Sequence, residues 1–235
     1  MDSENSHFVR YLESLKDSLL FGQLPAAELH QFLLCMKPEV WDPGTFKNST
    51  EVGFMLHFVI RGKIKMFQIN PNTGREHTVF LLTRGSVFDL LYFLDRQPHD
   101  VYWEVLEELE ILNIPYDKME SWLKEYPVLN GSILRYLGNK MREFEDFTAD
   151  VTLHNTLVRL SHLLLHHINE KSHKLEVIDN LSNEEIASLL GTTRAVVNRH
   201  IQVLKKCGAI SVKRKHIDIE DLDLLLSISE EKYIP

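Results

Sequence analysis

The chain has 235 residues, 44% of them hydrophobic and 26% charged, a balance that supports a buried core and excludes a disordered segment. Its formal net charge of −8 excludes a general polyanion sponge. No apolar run approaches the ~18–20 residues of a membrane span, and Met1-Asp2-Ser3-Glu4 lacks the basic and apolar regions of a signal peptide, so cytoplasmic residence and no membrane partner are expected.

At this length two domains are the prior. Between Val52 and Ile114, short runs rich in Val, Ile, Phe and Leu are punctuated by Gly53, Gly62, Pro71, Gly74, Gly85 and Pro98. Short strands at that spacing predict a barrel or roll. From Pro127 onward Gly and Pro become sparse and helical spacing takes over. Leu134, Leu137, Met141, Phe144 and Val151 share one helix face, with Thr148 completing the last heptad. Such a seam has to be buried, against the chain's own roll or against a second copy. Thr148 to Thr152 is the expected hinge, followed by a helix near Leu153 to Ile168.

Ser182 to Lys215 carries most of the functional signal. Ser182 and Glu185 are spaced as a capping box, and Leu181 and Ile186 occupy the staple positions on either side of it. Ile186, Leu189 and Leu190 keep one face apolar up to Gly191, which permits the left-handed turn that ends a helix. Thr192 or Thr193 then caps a second helix with Val197, Ile201 and Leu204 inward. Its opposite face shows Arg194, Asn198, Arg199 and Gln202. Arginine can fork onto guanine, and Asn or Gln onto adenine. Two short helices around a tight turn, the second so equipped, suit entry into the DNA major groove. The plainer alternative is a solvated face on an ordinary helical hairpin.

Charge decides between the two. Residues 1–149 carry −7 and residues 150–235 only −1, and Ile186 to Ile217 holds seven basic residues and no acidic one. That local field is the footprint of a phosphate-contacting surface. After Gly208 the sequence alternates like a small hairpin whose basic tip is Lys213-Arg214-Lys215-His216. Base reading is expected from Arg194, Asn198 and Arg199, and phosphate contacts from Thr193, Lys205, Lys213, Arg214 and Lys215.

In these features the chain resembles the Crp/Fnr family of bacterial transcription regulators, over nearly its whole length. Leu15 to Leu33, the strand-like Phe54 to Gln68 containing Ile60-Arg61-Gly62-Lys63-Ile64-Lys65, the turn Asn70 to Arg75, and Gly85-Ser86-Val87-Phe88 fall where the family's sensor motifs fall. The resemblance implies an α+β chain: an N-terminal cyclic-nucleotide-binding-like β-roll (jelly roll) over 1–126, a long dimerisation helix and hinge over 127–150, and a C-terminal winged helix-turn-helix DNA-binding domain over 151–235. It also implies a homodimer joined through the seam, with two recognition helices reading an inverted repeat in double-stranded DNA. RNA polymerase is a further implied partner, and catalysis is not expected. Where the catabolite-activator branch has a glutamate after the first recognition arginine, Ala195 stands here, which puts that branch's half-site in doubt.

The effector is unknown from sequence. The family's cyclic-AMP site needs a glutamate and an Arg-Ser or Arg-Thr pair. In the matching places stand Leu90 and Asp100, and no Arg lies between Arg96 and Arg135. A carboxylate beside a phosphate is repulsive, so cyclic AMP is not expected in the familiar mode. An iron–sulfur cluster needs about four thiolates and is excluded by cysteine count: Cys35 and Cys207 stand alone in different domains and read as buried small hydrophobes. Haem stays open, with His57, His77, His99, Met55 and Met66 as axial-ligand candidates, although His57 reads as an ordinary strand histidine. His162, His166, His167 and His173 suggest zinc, since His162 and His166 are four apart on a helix. Leu163-Leu164-Leu165 between them lacks the metalloprotease glutamate, so a polar helix face near the hinge is the plainer reading and no metal is expected. A cupin-like metalloenzyme would need clustered His ligands with a Glu, and a ligand-binding or scaffolding module would leave the basic 186–217 segment unexplained. No Walker-type Gly-Lys-Ser or nucleophile elbow occurs.

Overall fold

The computed structural model describes residues 2–97, 100–169, 174–213, 216–233 and 235, with main chain alone at 2–5. Two compact units result: Met1–Gln68 with Val79–Glu143, and Ile69–Thr78 with Phe144–Pro235. Among the described residues no helix is long and apolar enough to cross a membrane.

The first unit opens with α1 (Asp2–Lys16) and α2 (Ala26–Leu34) and then forms an antiparallel sheet. Its strands are β1 (Lys37–Trp41), β2 (Phe46–Asn48), β3 (Met55–Ile69), β4 (Glu76–Leu82), β5 (Val87–Phe88) and β6 (Tyr102–Pro115). They run in the order β1-β6-β3-β4, with β2 also pairing β6 and β5 pairing β3. A short α3 (Leu90–Asp95) and α4 (Tyr116–Glu125) complete the roll, and the long α5 (Val128–Leu153) follows.

The strands β3 and β6 are longer than the Gly and Pro punctuation suggested. Gly62 bends β3 instead of ending it. Its φ of +98° and the 2.1 Å that would separate an added Cβ from Glu108 O leave no room for a side chain, and the register shifts on either side, between Val59 and Lys63. Two cores fill the unit. Trp41, Val59, Ile64, Phe88, Trp103, Leu109 and Ile111 pack together in one. The other sets Phe21, Phe32, Phe58, Leu112 and Ile114 of the helices and sheet against Leu129, Ile133 and Tyr136 of α5. Tyr136 fixes the start of α5 by donating its hydroxyl to Val87 O at 2.9 Å and accepting from Val87 N at 3.0 Å.

The second unit holds the later turns of α5, then α6 (Thr156–His166), α7 (Asn183–Leu189), α8 (Arg194–Lys206), β7 (Ile210–Lys213), β8 (His216–Ile219) and α9 (Leu222–Ser229). The expected hinge at Thr148 to Thr152 is helical. Thr148 and Thr152 each turn their hydroxyls back onto the carbonyl four residues earlier, at 2.8 Å, so both side chains are satisfied within α5 and the helix continues through them. The break comes at 154–155, where Asn155 accepts from Leu157 N and Val158 N to cap α6. Both cysteines are half-buried rather than fully buried, their thiols turned to the carbonyls of Gln31 and Leu204.

Of the seam residues, Leu134, Met141, Phe144 and Val151 are exposed, at 69%, 61%, 49% and 45%. Leu137 is not; it packs against the core of its own roll.

Candidate nucleic-acid interface

The local chemistry of 181–207 builds a helix-turn-helix. Ser182 Oγ accepts from Glu185 N at 3.2 Å while the Glu185 carboxylate accepts from Ser182 N, which completes the capping box. Leu181 and Ile186 are buried as the flanking staple. At the other end Gly191 takes a φ of +60°, and Thr192 N and Gly191 N donate to Ala187 O and Ser188 O at 2.9 and 3.3 Å. That is a Schellman closure, and it needs a left-handed residue at this position. Of the two threonines, Thr193 caps α8, its hydroxyl accepting from Val196 N.

Val197, Ile201 and Leu204 bury one face of α8 at 0%, 2% and 0% exposure. The same spacing that buries them leaves Arg194, Arg199, Gln202 and Lys205 exposed. Asn198 is placed differently: half-buried, it accepts a hydrogen bond from the Asn183 side-chain amide and so ties α8 to α7. His200 lies half-buried beside Arg199, and burial and that neighbouring cation both hold its imidazole below the usual range. The wing strands pair Ile210 with Ile219 and Lys213 with His216. Lys213 is exposed, with Asp218 Oδ2 3.9 Å away, and His216 Nδ1 lies 2.8 Å from Asp179 Oδ1. Arg214 and Lys215 lie outside the described residues, as do His99 and His173.

Two supports of the turn left little trace in the sequence. Arg159 of α6, 9% exposed, donates to Leu190 O and so holds the carbonyl that closes α7; burial lowers its pKa. The visible sign was a lone arginine among inward apolar residues, Val158 and Leu160. Within the same unit, Arg75 donates to Gly191 O, and Thr78 N donates to Ser188 Oγ at 3.0 Å. His77 has Nδ1 3.2 Å from Ser188 O and stacks on Phe147 at 5.1 Å.

The positions compared in sequence with the family's cyclic-AMP site lie between Gly85 and Tyr102, around α3. Leu90 is buried at 4% in the apolar core. Beside it Asp89, also 4% exposed and at a φ of 65°, accepts from the Tyr116 hydroxyl. Burial pushes its carboxyl up to about 6 despite that hydrogen bond, and raises the Tyr116 phenol as well. Arg96 pairs with Glu120 and covers the Tyr116 ring at 4.6 Å. Asp100 is exposed. His57, at 3% exposure, has its ring nitrogens 2.7 Å from Asn113 Oδ1 and 3.1 Å from Val52 O and stacks on Phe88; burial lowers its pKa. A haem iron would have to displace one of those contacts.

Comparison with known proteins agrees with both halves. Residues 48–126 match the cyclic nucleotide-binding domain model and residues 158–228 match the Crp-like helix-turn-helix domain model. The chain is 26% identical over 179 residues to the CRP-like cAMP-activated global transcriptional regulator of Mycobacterium tuberculosis, covering 74% of this chain and 80% of that protein. It is 27% identical over 189 residues to the global nitrogen regulator of Synechocystis, covering 75% and 84%. A solved structure from Eubacterium rectale, assigned to the Crp/Fnr family, superposes with a TM-score of 0.70 at 18% identity over 90% of this chain and 97% of that one, a likeness of fold. The chain therefore belongs to the Crp/Fnr family, whose members are DNA-binding transcription regulators and not enzymes.

Proposed function

We propose that the protein binds an inverted-repeat operator as a homodimer and that an effector in the roll biases which arrangement of its DNA-binding units prevails. The observation that carries this reading is α8: its apolar face is fully buried, and it presents Arg194 and Arg199 outward from a turn held at both ends. Base discrimination then rests on those two arginines. Asn198 joins them only by exchanging its bond from Asn183 for one to a base. Thr193, Lys205, Lys213, Arg214 and Lys215 contact phosphates. The exposed stripe of Leu134, Met141, Phe144 and Val151 supports pairing with a second copy, because a stripe of large apolar side chains is covered in a stable assembly. Dimerisation puts two recognition helices about one DNA turn apart, on a repeat of matching symmetry. RNA polymerase is the natural further partner of such a regulator, and the cytoplasm its place of work.

Cyclic AMP is not taken up in the mode the domain name suggests. Supporting this, the one arginine between Gly85 and Tyr102 is Arg96, which is engaged with Glu120, while the buried ionisable group there is a carboxyl, Asp89. A cyclic phosphate would meet an acid instead of a cation. The effector instead has to bind the DNA-competent arrangement better than the other, since differential affinity is what couples the two sites.

Selection from random duplexes tests the base-reading assignment. Arg199→Ala should relax preference at one position per half-site, at a cost of about 1–3 kcal/mol. Lys205→Ala should weaken all duplexes alike and reduce the salt slope by about 1. Unchanged preference in Arg199→Ala would refute the assignment.

A further inference from the structure

Where α5 ends, three segments of the second unit bring ligand-type side chains together. Asp150, His154 and His162 each offer one ligand atom, and these lie within 4.8 Å of one another, the only such group of three His, Cys, Asp or Glu residues among the described residues. We propose that this group is a site for a zinc-class divalent transition ion, with Glu231 as fourth ligand. Asp150 comes from the last turn of α5, His154 from the residue that follows the helix, His162 from α6, and Glu231 from the segment after α9.

Three features favour a metal over a plain ion-pair cluster. First, His162 has the outer partner of a metal-bound histidine: Nε2 lies 3.1 Å from Ser229 O, a carbonyl able to take its N–H, and in that neutral tautomer Nδ1, 2.7 Å from Asp150 Oδ1, is the nitrogen free to ligate an ion placed between them. Secondly, His154 Nδ1 is buried and makes no hydrogen bond; the nearest carboxylate oxygen, Glu231 Oε1, is 3.6 Å away, which is beyond hydrogen-bond reach. Ligand atoms around a tetrahedral zinc sit about 3.3 Å apart, given metal distances of about 2.0–2.1 Å, so 3.6 Å suits joint ligation. Thirdly, Glu231 holds a φ of 57° at the position closing α9, where Ile228 O accepts from Glu231 N at 3.1 Å and Ser227 O from Lys232 N at 2.9 Å. Glycine is the ordinary occupant of that conformation, and a glutamate there aims its carboxylate at His154.

The ligand set is two imidazoles and two carboxylates, which suits zinc and its neighbours and not magnesium or calcium. Side-chain exposures of 30% for Asp150, 31% for His162 and 33% for His154 leave the site open to an entering ion. To bind, the Asp150–His162 pair opens by roughly half an ångström, the other pairs among Asp150, His154 and His162 close by at most about 1.5 Å relative to that tetrahedral spacing, and Glu231, outside that group, moves in from beside His154. Bound zinc would pin the end of α5 to α6 and to the segment after α9. In sequence the zinc candidate was His162 with His166, set aside for a polar helix face with no metal expected; helical spacing could not show that the end of α5 and the α9 end fold onto His162. His166 is outside the group; its ring meets that of His167 at 5.0 Å.

The test uses the full-length chain, stripped with chelator and titrated with zinc chloride in the absence of DNA, so that its outcome is separate from the DNA-binding reading. We expect one equivalent of zinc retained through gel filtration, and visible d–d bands of a tetrahedral site when cobalt(II) replaces it. His154→Gln and Asp150→Asn should each lower affinity on the order of tenfold or more, and His166→Gln should leave it unchanged. Glu231→Gln, at a site 53% exposed, should lower affinity without endangering the fold. Wild-type protein that retains no zinc overturns the proposal. So does binding that survives His154→Gln or Asp150→Asn in samples with wild-type circular dichroism, or that is lost equally in His166→Gln. Binding unaltered by Glu231→Gln removes the fourth ligand.

Discussion

Asp89 carries the least comfortable charge of the first unit. Its carboxyl is 4% exposed, Oδ1 has no hydrogen-bond partner, and it titrates at about 6 against 3.8 for the free group. The folded chain therefore binds a proton more readily than the unfolded chain across that interval, and stability falls as pH rises from about 4 to about 6. Asp89→Asn keeps an acceptor for Tyr116 and tolerates the left-handed backbone, yet has nothing to ionise. Denaturant midpoints at pH 5 and pH 7.5 should show the variant gaining on wild type as pH rises; parallel changes would contradict this account. Asp89 is also where sequence reading fell short, because attention went to Leu90 next to it. Alignment identifies which position a family uses, whereas only burial tells which neighbouring carboxyl has lost its water. Asn198 shows the same limit: periodicity put it on the outward face of α8, and its bond from Asn183 became visible only once the two helices were packed.

Helix α7, the turn and α8 were legible almost residue by residue, since capping and left-handed closure are local and act over three to six residues. The support beneath them was not, because it comes from Arg159, 31 residues away in sequence from its acceptor. Replacing that arginine removes the buried donor to the Leu190 carbonyl. Arg159→Met should destabilise the second unit by about 1–3 kcal/mol and weaken all duplexes together, with base preference unchanged because the side chain is turned inward. Thermal melts paired with duplex titrations check this; a changed preference would mean that Arg159 reads DNA. Helix α5 marks the opposite case. The heptad count found its stripe, but not that Leu137 belongs to its own roll or that the helix runs through Thr148 and Thr152 to Leu153. Thr148 and Thr152 do not end the helix, since their hydroxyls bond back onto the carbonyls of the preceding turn.

At the scale of the molecule, a net charge of −8 conceals a seven-cation segment around α8 and the wing, so attraction to DNA is local and salt-sensitive. In the proposed homodimer two copies would double that footprint and impose symmetry on the site. Met141, 61% exposed in the middle of the stripe, costs nothing to replace in a monomer and a great deal in a paired helix. Met141→Glu should shift the chain to monomer in sedimentation velocity and remove the advantage of a two-half-site duplex over a single half-site, while leaving thermal stability of each unit near wild type. A variant that stays dimeric would relocate the interface.

The most direct measurement is enrichment from a pool of random duplexes by the purified chain at about 0.15 M salt, where long-range attraction between exposed charges is already screened. The account predicts recovery of an inverted repeat whose half-site centres lie about one helical turn, 10–10.5 base pairs, apart. Recovery of no preferred sequence, or of a single unrepeated half-site bound by one copy, would contradict it.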